Sequence, residues 1–228
     1  MHAVVINKKG QQDFVAPMRA ALSPLEPVFV FDRCAPSKDA VRYRTNSEGD
    51  GFLAGRMRDI GAEGIDDDIL FLDGDKVPMG NIVADIETLK GLYDCICYGI
   101  DGSLEHSGLR SFMREDGRHG IVEWQARQFP YAYGCYSCGM WVSREAVRRL
   151  RDLNGGRIFH PAFDGVWGDE DNFLADELGY SGFRIGFSTR VRLSGSFGNC
   201  DDRRKFDGFT ENFIKRIRLR RDLLGASA

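Results

Sequence analysis

Three short runs of apolar, largely β-branched residues, separated by segments with helical character, constrain the fold of this chain most. The runs are Ala3 to Ile6, Val28 to Phe31 and Ile69 to Leu72. Such a run is typical of a strand buried on both faces of a parallel sheet, and the helix between two such strands supplies the crossover that the sheet requires. We therefore predict an α/β fold: a Rossmann-like, doubly wound, mostly parallel sheet with helices on both faces.

The length and composition indicate one ordinary globular domain. The chain has 228 residues, of which 43% are hydrophobic and 29% charged. No apolar run approaches the ~20 residues that a membrane span needs, and the first residues lack the apolar core of a signal peptide. We expect a cytoplasmic protein without a transmembrane segment, in which the six cysteines are free thiols. Cys95, Cys97, Cys135 and Cys138 leave a four-thiolate zinc site as an alternative.

The charge is unevenly distributed along the chain. The formal net charge is −3, but residues 201–228 contain eight Lys/Arg against five Asp/Glu, so this basic C-terminal extension carries +3. A helix is predicted from Phe206 to Leu224. Its apolar face is formed by Phe206, Phe209, Phe213, Ile217 and Leu224, and its other faces carry Lys215, Arg216, Arg218, Arg220 and Arg221. The basic side is either simply solvated or a surface for anionic lipid or for DNA phosphates.

Paired carboxylates in the pattern Asp-x-Asp occur at 66–68, 73–75 and 169–171. Only the second pair directly follows a buried run, which puts it at the carboxyl end of a strand, where open α/β sheets bind ligands. The pair at 66–68 precedes the same run and is predicted at the opposite edge of the sheet. Position therefore selects Asp73 and Asp75.

Carboxylates on both sides of Gly74 suit a hard divalent cation. Mg²⁺ and Mn²⁺ prefer oxygen ligands, and Mg²⁺ is commonly bound by one or two carboxylates together with substrate phosphates. A cation held by Asp73 and Asp75 would stabilise the charge on a departing diphosphate. An isolated Asp-x-Asp is also a common solvated turn, but its place after a buried strand favours the metal site.

Three other polar residues are candidates for donor contacts. Asp32 ends the second apolar run and suits a hydrogen bond to a nucleotide base or ribose, although a turn residue is an equally good interpretation. Arg56 and Arg58 lie outside the apolar stripe of a helix predicted over residues 53–60. They are available for phosphate or for Asp73, with a surface pair as the alternative.

A second acidic constellation, Trp167-Gly168-Asp169-Glu170-Asp171, lies at the start of a helix that is predicted to follow Gly168 and to run through Leu178, ending before Gly179. Carboxylates at a helix start interact favourably with the helix dipole, so capping is the structural alternative. In a catalytic role, a carboxylate that takes a proton from an acceptor hydroxyl contributes about 10² to 10⁴ in rate. Trp167 offers a flat apolar surface for a sugar or a base.

The combination of segments 51–63, 69–75, 138–144 and 167–171 resembles GT-A glycosyltransferases, particularly family 2 enzymes and the polypeptide N-acetylgalactosaminyltransferases. The resemblance covers most of residues 1–180. It implies a GT-A fold, a nucleotide diphosphate-sugar donor, most simply a UDP-sugar, and Mn²⁺ or Mg²⁺. Segment 138–144 corresponds to the glycine-containing acceptor side, and segment 167–171 to the motif that carries the base or binds the donor sugar.

The resemblance also implies roles for individual residues. Asp171 is the leading base candidate for an inverting enzyme, with Glu170 as its closest rival and Asp169 as the third acidic residue of the motif. The donor-binding candidates are Asp32, Arg56, Arg58, Asp73 and Trp167, and the metal ligands are Asp73 and Asp75. Many relatives add a metal-binding histidine after the second motif, which this chain lacks, so Asn199, Asp201 or the nucleotide itself would complete the metal site.

We expect residues 1–200 to form the glycosyltransferase domain, with a donor-binding half (1–100) and an acceptor and catalytic half (101–200), followed by the extension. The first acceptor hypothesis is hydroxymethylated pyrimidine in phage DNA, with aromatic residues of segment 124–136 as stacking surfaces. A bacterial surface glycan is the alternative acceptor. Nucleotidyl transfer is disfavoured because no glycine-rich phosphate loop precedes Asp32, and a nonenzymatic nucleotide-sugar binder is the third hypothesis.

Overall fold

The computed structural model describes residues 1–47, 54–100, 113–116, 121–124, 138–164, 169–194, 214–220 and 222. For residues 113–116 and 121–124 only the backbone is described.

Within the described residues, ten strands form one sheet. They are β1 (His2–Asn7), β2 (Val28–Asp32), β3 (Arg42–Asn46), β4 (Ile69–Asp73), β5 (Pro78–Met79), β6 (Cys95–Ile100), β7 (Met113–Asp116), β8 (Ile121–Trp124), β9 (Gly139–Val142) and β10 (Ile185–Leu193). Their order is β3, β2, β1, β4, β9, β6, β10, β8, β7, and β5 pairs with β10. Strands β1 to β4, β6 and β10 all run in one direction, whereas β9 is antiparallel to both of its neighbours, β4 and β6.

Helices cover both faces of this sheet, as the sequence predicts. They are α1 (Val15–Ala21), α2 (Ala54–Ala62), α3 (Ile82–Leu89), α4 (Arg144–Leu153) and α5 (Glu170–Tyr180). Apolar residues of α2, α4 and α5 pack with one set of strand side chains, and those of α1 and α3 pack with the alternate set. Strands β1, β2 and β4 are therefore buried on both sides, which is why their apolar runs are continuous.

Local signals place most helix boundaries correctly. Ser143 precedes α4 and its hydroxyl accepts a hydrogen bond from the backbone N–H of Ala146, as expected of an N-cap. Helix α5 continues through Gly179 to Tyr180, so the expectation that it ends before Gly179 is wrong. The residues that follow turn back through Gly182, whose φ of +88° suits a glycine.

The helical residues 214–220 correct the prediction for the extension. Arg216 and Arg220 are buried, whereas Ile217 of the predicted apolar face is only partly buried, so arginine side chains also face the protein. The expectation that the basic residues of this helix are solvated is wrong for these two arginines. The rest of the segment from Phe206 to Leu224 lies outside the described residues, apart from Asp222.

Three further findings concern the cysteines, metal-holding groups and membrane-spanning helices. Cys34, Cys95 and Cys138 are reduced thiols, whereas Cys97 is disulfide-bonded, so the expectation that all six cysteines are reduced is wrong for Cys97. Within the described ranges, no group of three or more His, Cys, Asp and Glu residues is arranged to hold a metal ion. Across the same ranges, no helix has the length and apolar character needed to span a bilayer.

Helix α2 lies against β1 and β2 at a glycine. A Cβ atom built on Gly61 would collide with Val4 Cγ1 and would lie 2.9 Å from Val30 Cγ2. On Gly55, earlier in the same helix, a Cβ would lie 3.0 Å from Phe159 Cβ. The close approach of helix to sheet therefore depends on Gly61 more than on Gly55.

We predict that Gly61→Ala lowers the free energy of unfolding by about 1–3 kcal/mol, because the methyl group overpacks the helix–sheet contact. Urea denaturation measures this loss. Gly55→Ala is the matched control: its milder contact is offset by the higher helix propensity of alanine, so its effect should stay within about 1 kcal/mol. Equal effects of the two substitutions would contradict the packing argument.

A buried carboxyl on α5 makes stability depend on pH. Glu177 is 2% exposed and its Oε2 accepts a hydrogen bond of 3.1 Å from Asn154 Nδ2. Burial, together with the charge of Asp176, raises the pKa of Glu177 from 4.5 to about 8, although Asn154 and Arg149 oppose the shift. The folded protein therefore holds this proton more tightly than the unfolded chain does.

The stabilisation from this proton is complete below pH 4.5 and is lost as the pH rises through about 8. We predict that Glu177→Gln, which is neutral at every pH, flattens the decline of melting temperature across this interval. Thermal melts at several pH values measure the decline, with Glu145→Gln on the exposed face of α4 as control. An unchanged pH dependence in Glu177→Gln would contradict the assignment.

Candidate active site

The candidate site lies at the carboxyl ends of β1 and β4. From β1 the chain passes to β2 and β3 on one side, whereas β4 adds to the other side of β1. The order therefore reverses between β1 and β4, and open α/β sheets bind ligands at such a switch point. Asn7 ends β1 and Asp73 ends β4, so both lie at what we call the β1/β4 crevice.

Gly74 fixes the turn that carries the two aspartates. Its N–H donates to the Ile6 carbonyl at 2.8 Å, and a Cβ on Gly74 would lie 2.5 Å from Asn7 Nδ2. The glycine is therefore required by the close approach of the turn to β1. The N–H of Asp73 donates to the Cys138 carbonyl at 3.0 Å, which ties the same turn to the start of β9.

Arg58 joins the two acidic motifs. Its Nη2 donates to Asp73 Oδ1 at 2.8 Å and its Nη1 donates to Glu170 Oε1 at 3.0 Å. The arginine side chain is 1% exposed and its guanidinium lies 5.5 Å from the centre of the Phe159 ring. Burial lowers the pKa of Arg58, but the surrounding carboxylates of Asp73, Glu170 and Asp171 outweigh it, so the pKa is raised and the side chain stays charged.

Phe159 beneath this guanidinium is itself held in place. Asp59, the residue after Arg58, accepts hydrogen bonds from the N–H groups of Ile158 at 2.8 Å and Phe159 at 3.3 Å. The Phe159 ring also packs edge to face on Phe71 of β4, with 5.4 Å between ring centres. The arginine therefore rests on a surface that α2 and β4 both position.

The three carboxylates of the second motif have different surroundings. Asp169 is buried and precedes α5 with a left-handed φ of 66°. Burial, and then the charge of Asp171, raise the pKa of Glu170 to about 7 against the opposing effect of Arg58. Asp171 is only partly buried and accepts a hydrogen bond from the Asn172 N–H at 2.8 Å. Asp171 is therefore the carboxylate of this motif that is most open to solvent.

The carboxylates of the first motif are open to solvent but close to cations. Asp73 is 27% exposed, and burial of the rest of the group raises its pKa, whereas the charges of Arg58 and Lys8 lower it. Asp75 is 33% exposed and accepts a hydrogen bond of 2.9 Å from Lys76. Two partly exposed carboxylates fit a divalent cation that takes its remaining ligands from a diphosphate and water.

Asp32 lies at the end of β2, on the far side of β1 from Asp73. It is 6% exposed, and its two oxygens accept hydrogen bonds from Asn46 Nδ2 and Arg33 Nη2, each at 3.1 Å. Arg33 adopts an unusual positive φ of 48°. The carboxylate is thus held rigidly at the correct edge of the sheet, and its contact with a nucleotide stays a prediction.

Other predicted residues lie elsewhere. Arg56 lines a cavity of about 260 Å³ with Arg151 and Arg157, and its donor role stays a prediction. The pair at 66–68 lies at the opposite edge, where Asp66 accepts hydrogen bonds from Arg144 and Arg148 and Asp67 from the N-terminal amine. Trp167, Asn199, Asp201 and most of segment 124–136 lie outside the described residues.

The structure also brings residues to the site that the sequence patterns did not single out. These are Asn7, Lys8 and Lys76, whereas Cys138 had a predicted place only in the alternative zinc site and in the acceptor-side segment 138–144. Asn7 and Lys8 follow the first apolar run, so the strand-end rule that selected Asp73 would have found them as well. For Cys138, burial and then the charges of Asp73 and Asp171 raise the pKa, which places this thiol beside both acidic motifs.

Solved structures share this architecture at low sequence identity. The mannosyltransferase PcManGT from Pyrobaculum calidifontis, in complex with GDP-Man and Mn²⁺, aligns with a TM-score of 0.63 and 15% identity over 95% of this chain. TarS from S. aureus aligns with a TM-score of 0.54 and 15% identity over 85%. GalNAc-T7 with UDP, GalNAc and Mn²⁺ gives 0.53 and 14% identity, also over 85%.

The chain has a GT-A-type α/β fold. It spans 64%, 59% and 43% of the lengths of the three structures, respectively. No protein-family model and no curated protein sequence matches it. The predicted fold class is therefore confirmed.

We predict that Arg58→Gln lowers the free energy of unfolding by about 3 kcal/mol, because removing one partner of a buried ion pair leaves its carboxylates uncompensated. Arg58→Lys should lose less, because it keeps the charge although it reaches fewer oxygens. Urea denaturation measures both losses. Arg148→Gln, at an exposed ion pair with Asp66, is the control and should change stability by less than about 1 kcal/mol. A similarly small loss in Arg58→Gln would contradict the bridge.

Proposed function

We propose that this chain is a metal-dependent glycosyltransferase that moves a sugar from a nucleotide diphosphate donor to an acceptor hydroxyl. The observation that carries the proposal is the Arg58 bridge, which joins Asp73 of the first acidic motif to Glu170 of the second. The bridge supports a site in which the proposed cation ligands Asp73 and Asp75 and the candidate base Asp171 lie in one crevice at the switch point of the sheet. The GT-A-type fold supports the same chemistry, since two of the similar structures contain a nucleotide or nucleotide-sugar and Mn²⁺.

In this proposal the donor diphosphate lies over the Asp73-Gly74-Asp75 turn. Asp73 and Asp75 would hold Mn²⁺ or Mg²⁺, which when bound would stabilise negative charge on the departing nucleoside diphosphate. Lys8 and Lys76 lie near these carboxylates and add positive potential for the same charge. Asp32 at the end of β2 is placed to contact the nucleotide. A UDP-sugar is the donor to test first, and a GDP-sugar the second.

Asp171 is the proposed base. In an inverting transfer the acceptor oxygen bonds to the anomeric carbon, the bond from that carbon to the diphosphate oxygen breaks, and the hydroxyl proton passes to Asp171. Its partial exposure and its position beside the buried Glu170 suit this role, because an accessible carboxylate is needed to reach the acceptor. Glu170, held by Arg58, orients the first turn of α5 or contacts the donor sugar. Asp169 is buried and supports the turn.

The acceptor is a separate part of the proposal. Hydroxymethylated pyrimidine in duplex DNA is the first acceptor to test, and a bacterial surface glycan the second. Of the cations at 214–220, Arg216 and Arg220 are buried and Lys215 donates to the Ala162 carbonyl at 2.7 Å. Arg218 is exposed. This helix therefore offers less positive surface to DNA or lipid than its composition suggests.

We predict release of nucleotide diphosphate from a UDP- or GDP-sugar with Mn²⁺ or Mg²⁺, and none with a chelator. Asp75→Asn should lower turnover by about 10²-fold or more, because loss of a carboxylate weakens stabilisation of the leaving group. Asp66→Asn, in the Asp-x-Asp pair at the opposite edge, is the matched control and should keep wild-type turnover. The measurement follows release of UDP or GDP from each sugar donor, with and without hydroxymethylpyrimidine DNA or glycan as acceptor.

Turnover stimulated by one acceptor identifies the acceptor class. Turnover of equal size in Asp75→Asn and wild type would refute the metal assignment. No donor turnover and no donor binding under any condition would refute the proposed function.

A further inference from the structure

The helical residues 214–220 contact α5 through charged groups. Arg216 Nε donates to Asp176 Oδ2 at 2.6 Å, and Arg216 Nη1 lies 3.5 Å from Asp169 Oδ1. Arg220 Nε lies 3.6 Å from Asp176 Oδ1, and Arg220 Nη2 donates to the Tyr180 hydroxyl at 3.0 Å. The extension is thus attached to α5 by an ion-pair cluster.

This cluster is buried, which gives its cation unusual weight. The Arg216 side chain is 3% exposed, and those of Asp169 and Asp176 are fully buried. A carboxylate removed from water is strongly destabilised unless a cation or hydrogen-bond donors compensate it. Burial raises the pKa of both aspartates, and Arg216 opposes the rise in each. Arg216 therefore forms ion pairs with two buried carboxylates, those of Asp169 and Asp176.

One of these carboxylates controls the start of α5. Asp169 has a left-handed φ of 66°, a conformation that few residues other than glycine adopt and that aspartate tolerates because its short side chain can form local hydrogen bonds. Its Oδ1 is held by Asn172 Nδ2 at 3.0 Å and by the Arg216 guanidinium. The next two residues are Glu170 and Asp171. Any shift at Asp169 is therefore passed directly to the candidate base and to the carboxylate bound by Arg58.

We propose that Arg216 is a positioning residue for the transfer reaction: by clamping Asp169 and Asp176 it holds the first turn of α5 against Arg58. The proposal rests on the proposed function, because it concerns the residues that would carry out that reaction. In this proposal the C-terminal extension supports the geometry of the active site. It does so through an arginine that the sequence alone would place on a surface for lipid or DNA. Arg216 itself does not touch the reacting atoms.

The test compares Arg216→Gln, Arg216→Lys and the exposed control Arg218→Gln. We expect Arg216→Gln to lower kcat by about 10²-fold, the loss typical of a small misplacement of catalytic groups, with donor KM near the wild-type value. Arg216→Lys should recover part of the loss, because it keeps the charge, and Arg218→Gln should match wild type. Amide hydrogen exchange of residues 170–174 should accelerate in Arg216→Gln while β1 and β4 stay protected.

The double variant Asp176→Asn with Arg216→Gln separates positioning from simple charge balance. It removes the uncompensated charge at Asp176 and should fold, yet kcat should stay low because Asp169 still lacks its cation. Wild-type kcat in this variant, or in folded Arg216→Gln, would overturn the proposal. Failure of every Arg216 variant to fold, Arg216→Lys included, would assign the arginine to folding as a whole and would also overturn it.

The proposed function can fail separately. If the wild-type protein transfers no sugar, the exchange measurement still decides whether Arg216 holds the first turn of α5. Unchanged exchange at residues 170–174 would then overturn the positioning role.

Discussion

The buried guanidinium of Arg58 is the interaction on which the candidate site depends. It belongs to α2, but its two carboxylate partners come from the end of β4 and the start of α5. A planar donor fork can serve two carboxylates in a fixed relative position, which a lysine cannot reproduce. Without it, Asp73 and Glu170 would repel each other across a poorly solvated space. The bridge therefore converts two acidic motifs, which would separate on their own, into one site.

Arg216 is a second buried arginine that pairs with two carboxylates, as Arg58 does. Glu170 and Asp171 follow Asp169, which Arg216 holds from the C-terminal helix, and Arg216 also serves Asp176. Each cation compensates carboxylates that burial would otherwise force to protonate. A series of buried ion pairs is less stabilising than apolar packing of equal volume, because desolvation of the charged groups offsets much of their attraction. Its benefit is geometry, since ion pairs with short, directional hydrogen bonds fix where each carboxylate lies.

The parts of the fold that follow local rules could be predicted, and those set by distant partners could not. Continuous apolar runs predict β1, β2 and β4, and the position of Asp73 after such a run predicts its place at the crevice. In contrast, β9 lies antiparallel between β4 and β6, a neighbour relation that nothing in residues 139–142 encodes. The sequence indicates Arg58 as a possible partner of Asp73, but the bond of Arg58 to Glu170 joins residues that are 112 positions apart.

The extension shows why composition is a weak guide to surface. Apolar spacing predicts an apolar contact face with solvated arginines, and this rule holds when the surface that the helix packs on is apolar. Here α5 presents the buried Asp176 beneath the helix, so arginine is the residue that matches it. The net charge of +3 over residues 201–228 thus overstates the charge available to a partner. Because the compensating acids lie on α5, upstream of the extension, only the folded structure shows that these arginines complete the protein's own interior.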